Sequence, residues 1–167
     1  MPAAKPSEIT GEAPRRSPIG GILGEEHIGV LLSSVGTRLN RGATAYYRAA
    51  WNLSMVEWRL MMVLKDTEAL NVGELSEAAD LDKAAVSRGL ALLEERKLIS
   101  IEQTRTRGRA AIARLTAEGR KLSEKLLRVS REREALLFKY VTPREKERLI
   151  ALLHQLTLAL DGPDWDY

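Results

Sequence analysis

A chain of 167 residues that is 44% apolar is long enough to bury a core, and because it has no cysteine it has no disulfide, thiolate metal site or thiol redox switch. No apolar run approaches the ~18 residues needed to cross a bilayer, and the N-terminal stretch "MPAAKPSEITGEAPRRSPIGG" lacks the apolar segment of a secretion signal, so a cytoplasmic protein without a membrane partner is expected. The formal net charge is only +3, but the segment 96–121 holds Arg96, Lys97, Arg105, Arg107, Arg109, Arg114, Arg120 and Lys121 against Glu102 and Glu118, which places +6 there and −3 in the remainder. A concentration of this kind is either a solvated face or the footprint of an anionic partner.

Residues 1–22 carry Pro2, Pro6, Pro14 and Pro18 with glycines at 11, 20 and 21 and no periodicity, and read as a disordered tail. No proline occurs between Pro18 and Pro143, which favours long helices. In the segment 23–52, Ile28, Leu31, Leu32, Val35 and Leu39 recur at helical spacing and predict a helix over about 25–50 whose apolar stripe needs a partner. A second helix is expected over 54–64, where Ser54 and Glu57 have capping-box spacing. Asn71 and Glu74 repeat that spacing ahead of a third, short helix. A fourth starts at Asp82 and turns Val86, Gly89, Leu90 and Leu93 inward, leaving Ala84, Ser87, Arg88, Ala91 and Glu95 on the other face.

The period then changes from 3.6 to 2. "LISIEQ" and "AAIARL", joined by "TRTRGR", predict a β-hairpin in which the glycine supplies a turn conformation. Thr116 opens a fifth helix, and Thr142, Pro143 and Glu145 open a last one lined by Leu149, Leu152, Leu153, Leu156 and Leu160. The expected fold is mainly α with a small β-wing. A winged helix-turn-helix over 53–115 is flanked by helices in 23–52 and 116–162. In such a fold the helix after the turn enters the major groove. Lys83, Ala84, Ser87 and Arg88 suit close approach to base edges and phosphates, and arginines at a wing tip suit the negative potential of the minor groove.

The stretches "LSMVEWRLMMVL", "VGELSEAADLDKAAVSRGLALLEERKLI" and "RGRAAIARLTAEGRKL" together resemble the multiple antibiotic resistance regulator (MarR) family of bacterial transcription factors. The family's wing reads Asp-x-Arg followed by a strand ending in Leu-Thr-x-x-Gly. Leu115, Thr116 and Gly119 match it, Arg109 falls on the minor-groove arginine, and Arg107 stands where the family has an aspartate that orients that arginine. The resemblance implies a homodimer held by the first and last helices, a palindromic operator on double-stranded DNA, and contacts from Lys83, Ala84, Ser87, Arg88, Arg105, Arg107 and Arg109. It also implies a small effector, such as an aromatic or phenolic carboxylate, bound near Tyr46, Tyr47, Arg48, Trp51, Trp58 and Arg59 and releasing DNA, as a repressor would require.

Core and hinge packing is the better reading of Trp51 and Trp58. His27 and His154 have no local ligand partner, and no catalytic triad or phosphate-binding glycine loop is present, so no metal, cofactor or enzymatic activity is expected. The alternatives are an architectural or nonspecific DNA-binding protein and a winged-helix module for protein contacts.

Overall fold

The computed structural model describes residues 27–103, 111–163 and 165. The chain separates into two compact units, 1–55 and 56–167.

The first unit is built on α1 (Ile28–Trp51), 24 residues long. Its end is closed by Asn52 in the left-handed region (φ 52°), with the Asn52 N–H donating to the Arg48 carbonyl. Asparagine tolerates that conformation better than most residues. Ile28, Leu31, Leu32, Val35 and Leu39, the predicted stripe, are all exposed.

In the second unit α2 (Met55–Asp66) leads through β1 (Leu70–Asn71) to α3 (Val72–Ala79) and α4 (Lys83–Glu95), followed by β2 (Ile99–Gln103), β3 (Ala111–Leu115), α5 (Ala117–Leu137) and α6 (Pro143–Leu160). The core is made by Leu60, Met61 and Leu64 of α2, Leu75 and Ala79 of α3, Val86, Leu90 and Leu93 of α4, and Leu98, Ile99, Ala113 and Leu115 around the sheet. The predicted inward face of α4 is buried as the spacing requires.

The sheet has three strands in the order β1-β3-β2, all antiparallel. The hairpin pairs Ile99 with Leu115 through to Gln103 with Ala111. The third strand, β1, is an addition to the predicted hairpin: two residues, Leu70 and Asn71, pair with Ala113 and Ile112. Two residues are too few to show an alternating pattern.

Helix starts follow the capping signals. Asn71 Oδ1 accepts from the N–H groups of Gly73 (2.8 Å) and Glu74 (3.0 Å), while Glu74 Oε2 accepts from the Asn71 N–H at 2.7 Å, a complete capping box. The Thr142 and Glu145 pair does the same for α6, with Pro143 in the first turn. On α6, Leu149, Leu152, Leu153, Leu156 and Leu160 are exposed in the chain, as is Leu136 near the end of α5.

Candidate nucleic-acid interface

Sequence and geometry converge on α4. Asp82 caps it, its Oδ1 accepting from the Ala85 N–H at 2.7 Å. The turn before it is closed by Asp80 in the left-handed region (φ 50°), where the Asp80 N–H donates to Glu77 and the Leu81 N–H to the Ser76 carbonyl. Arg59 Nη1 reaches across from α2 to the carbonyls of Ala79 (3.2 Å) and Asp80 (3.4 Å). Carbonyls orphaned at the end of α3 thereby gain a charged donor, which stiffens the turn between the two helices.

At its middle α4 lies close to α2. A Cβ on Gly89 would come within 2.8 Å of Leu60 Cδ1 and 3.0 Å of Val56 Cγ1, so only a residue without a side chain fits this approach undisturbed. The opposite face carries Lys83, Ala84, Ser87, Arg88 and Ala91, all exposed. Leu92 is exposed there as well, at 49%, whereas Leu90 and Leu93 are buried. A leucine in an amphipathic helix is ordinarily assigned to the core; its spacing of i+8 from Ala84 is the signal that places it on the outward face.

The far end of α4 is a Schellman motif: the Lys97 N–H donates to Glu94 (2.8 Å) and the Leu98 N–H to Leu93 (2.9 Å), with Lys97 left-handed at φ 57°. The chain then enters β2. Thr116, just after β3, returns to this corner: its N–H donates to the Leu98 carbonyl (3.0 Å), and its Oγ1 donates to the Lys97 carbonyl (2.8 Å) and at longer range to that of Leu98 (3.2 Å). The same Oγ1 accepts from the Gly119 N–H at 3.1 Å, capping α5. The Leu-Thr-x-x-Gly stretch is therefore a clasp joining the hairpin base, the end of α4 and the start of α5.

Among the described residues, two cations of the basic segment form ion pairs within the chain. Arg96 pairs with Glu57 at 3.4 Å, and Arg114 with Glu102 across the hairpin at 4.0 Å. Arg105, Arg107 and Arg109 lie outside the described residues.

The aromatic residues of α1 form a cluster: Tyr46 meets Tyr47 at 5.6 Å and Trp51 at 5.7 Å, both edge to face, and Tyr47 lies 5.9 Å from Trp51. Tyr47 is buried, while Tyr46 and Arg48 are exposed. Trp58 and Arg59 belong to the second unit, where Arg59 is held at the α3 end. An open groove of about 520 Å³ runs along α1 nearer its N-terminus, lined by Gly29, Val30, Ser33, Ser34, Thr37, Arg38 and Arg41. Among the described residues no three His, Asp or Glu gather as metal ligands, and no helix is long and apolar enough to cross a membrane.

The family model described as MarR family matches residues 51–110, the span from the end of α1 into the segment after β2. Among solved structures, a MarR/EmrR family transcriptional regulator from Acinetobacter sp. ADP1 is 30% identical with a TM-score of 0.74, the match covering 81% of this chain and 95% of that one. A MarR family regulator from Silicibacter pomeroyi shares the fold at 24% identity and TM-score 0.69, over 80% of this chain and 90% of the other. So does Bordetella bronchiseptica BpsR, whose DNA binding is regulated by 6-hydroxynicotinic acid, at 22% identity and TM-score 0.69 over 79% and 94%. No match was found among curated proteins. The Acinetobacter relative is matched across nearly its whole length, flanking helices included, and the family match falls on the capped helix pair and the basic segment: this chain belongs to the MarR family of transcriptional regulators.

Proposed function

We propose that the protein is a ligand-responsive repressor that binds a palindromic operator as a homodimer, with α4 in the major groove and the wing arginine Arg109 in the minor groove. The observation that carries this reading is the exposed face of α4. It is small and uncharged at Ala84, Ser87 and Ala91, cationic at Lys83 and Arg88, and backed by a rigid, capped turn. Small side chains let the helix approach base edges, and Arg88 has the length and the fork to bond a guanine. Arg105, Arg107 and Arg109 add phosphate and minor-groove affinity next to it.

Dimerisation is supported by two apolar faces, on α1 and on α6, that are exposed in the single chain; 23–52 and 116–162 are the proposed dimer helices flanking the DNA-binding segment 53–115. The two-fold axis then places two α4 helices about one turn of DNA apart. The effector reading draws on BpsR, which responds to a small aromatic acid. In this chain the proposed contacts lie within the first unit, in the clustered rings of Tyr46, Tyr47 and Trp51 with Arg48. A coupling of ~1 to 3 kcal/mol between effector and DNA is enough to release an operator.

The test is selection of duplexes from a random library by the purified protein, with the mass of the complex measured in parallel. An enriched palindrome bound by two chains is expected. Retention without a motif would indicate an architectural protein, and a complex with one chain would remove the dimer argument.

A further inference from the structure

The α4 face that the proposed function sends into DNA is more apolar than hydrogen bonding requires. Ala84, Ser87, Arg88, Ala91, Leu92 and Glu95 stand at i, i+3, i+4, i+7, i+8 and i+11, one face of a helix, and all six are exposed. Three of them, Ala84, Ala91 and Leu92, can neither donate nor accept through their side chains. Leu92 is 49% exposed in a helix whose other two leucines are 4% and 0% exposed, so the core does not explain it.

A base pair presents one apolar group in the major groove, the 5-methyl of thymine. At 1.5 Å per residue Ala84 and Leu92 are about 12 Å apart along the axis, comparable to the width of that groove, with Arg88 midway between them. We infer that Leu92 is a specificity residue and that Ala84, Ala91 and Leu92 read thymine methyl groups on both sides of the base pair contacted by Arg88. The half-site is then a guanine flanked by thymines. Because 5-methylcytosine carries its methyl at the same place, it substitutes for thymine in this contact. The inference rests on the proposed insertion of α4 into the major groove.

The test uses the duplex recovered by selection, resynthesised with deoxyuridine in place of each thymine, which removes the methyl and leaves base pairing intact. Loss of affinity of about fourfold per buried methyl is expected. The loss shrinks toward none in Leu92→Ala at the thymine that Leu92 contacts, and a 5-methylcytosine pair there restores affinity relative to cytosine. A half-site without thymine, or deoxyuridine duplexes bound as tightly as the parent, would overturn the inference while leaving the regulator reading intact. A deoxyuridine penalty of equal size in Leu92→Ala at every position would assign it to DNA stacking and overturn the role of Leu92. Failure to select any motif would overturn both readings together.

Discussion

Arg96, the C-cap of α4, donates from Nη1 to Oε1 of Glu57 in α2 across 3.4 Å, joining residues 39 apart in sequence. The Glu57 side chain is 6% exposed and that of Arg96 32%, so the carboxylate is desolvated while its cation keeps part of its water. A buried carboxylate deprived of a cation is destabilising, and Arg96 also sits favourably at the negative end of the α4 dipole. Arg96→Ala is therefore expected to lower stability by about 2 kcal/mol, discounted from a fully buried pair because Arg96 is part-exposed. Urea unfolding at fixed protein concentration reads this, and an unchanged midpoint would show that the pair contributes nothing.

Lys97 follows directly and holds φ at 57°, a conformation that costs a residue with a Cβ roughly 1 kcal/mol relative to glycine. The side chain is exposed, so nothing in the core opposes its removal. Lys97→Gly is expected to raise stability by about 1 kcal/mol less whatever glycine gains in unfolded-state entropy. Lys97→Ala serves as the control, because it removes the charge and keeps the strain. If the two variants unfold alike, the strain is not there.

The clasp at the hairpin base makes Gly119 far less replaceable than Gly89. A Cβ at Gly119 would run into the Leu98 backbone carbonyl, the same oxygen that accepts from Thr116, and backbone cannot swing aside. At Gly89 the obstacles are the ends of Leu60 and Val56 side chains, and alanine gains helix propensity of about 1 kcal/mol. Gly119→Ala is expected to destabilise by about 3 kcal/mol and Gly89→Ala by about 1 or less. Thermal unfolding of both variants gives the order, and equal losses would contradict the geometry.

Glu145 supplies the pH-sensitive part of the α6 start. The Thr142 hydroxyl, and then the Thr142 N–H, donate to its Oε2 at 2.7 and 2.8 Å and hold its carboxyl below the ordinary value of 4.5. A lowered folded pKa means that the ionised cap stabilises above 4.5 and that this contribution is lost as pH falls through the folded pKa. Glu145→Gln should differ from the parent at pH 7 and converge with it at strong acid, read as the unfolding midpoint across pH. A pH-independent difference would assign the effect to helix propensity.

Much of this architecture is readable in the sequence because local rules act alone where they succeed. Asn71, Asp82, Thr116 and Thr142 each bring a cap acceptor to a helix start, and the inward set of α4 follows from 3.6-residue spacing. What escaped the sequence depends on distant residues. Glu57 has capping-box spacing from Ser54, yet its burial against Arg96 depends on a residue 39 positions along the chain. The bonds from Arg59 to two carbonyls at the end of α3 join residues about twenty apart and leave no local signal. Leu92 has a core residue's chemistry at a surface residue's spacing, and its exposure follows the spacing. The wing arginines Arg105, Arg107 and Arg109 remain a reading from sequence.

The roles of Lys83, Arg88 and Arg109 separate by how affinity depends on salt and on sequence. A cation that neutralises one phosphate contributes about 0.9 to the slope of log affinity against log salt, so loss of one such contact from each subunit of a dimer lowers the slope by about 2. Lys83, beside the helix start, is the proposed phosphate contact: Lys83→Ala should weaken all duplexes alike and lower the slope by that amount. Arg88 stands mid-face, where a guanine contact is worth ~1 to 3 kcal/mol of discrimination, so Arg88→Ala should relax preference at one base pair per half-site with a smaller change in slope. Arg109→Ala should reduce operator affinity through the narrow-groove contact, most where the flanking sequence is A·T-rich. Binding isotherms on the selected duplex and its single-base variants, each at several salt concentrations, resolve the three. An Arg88→Ala protein that keeps full discrimination at every base pair would move the reading of sequence away from the centre of α4.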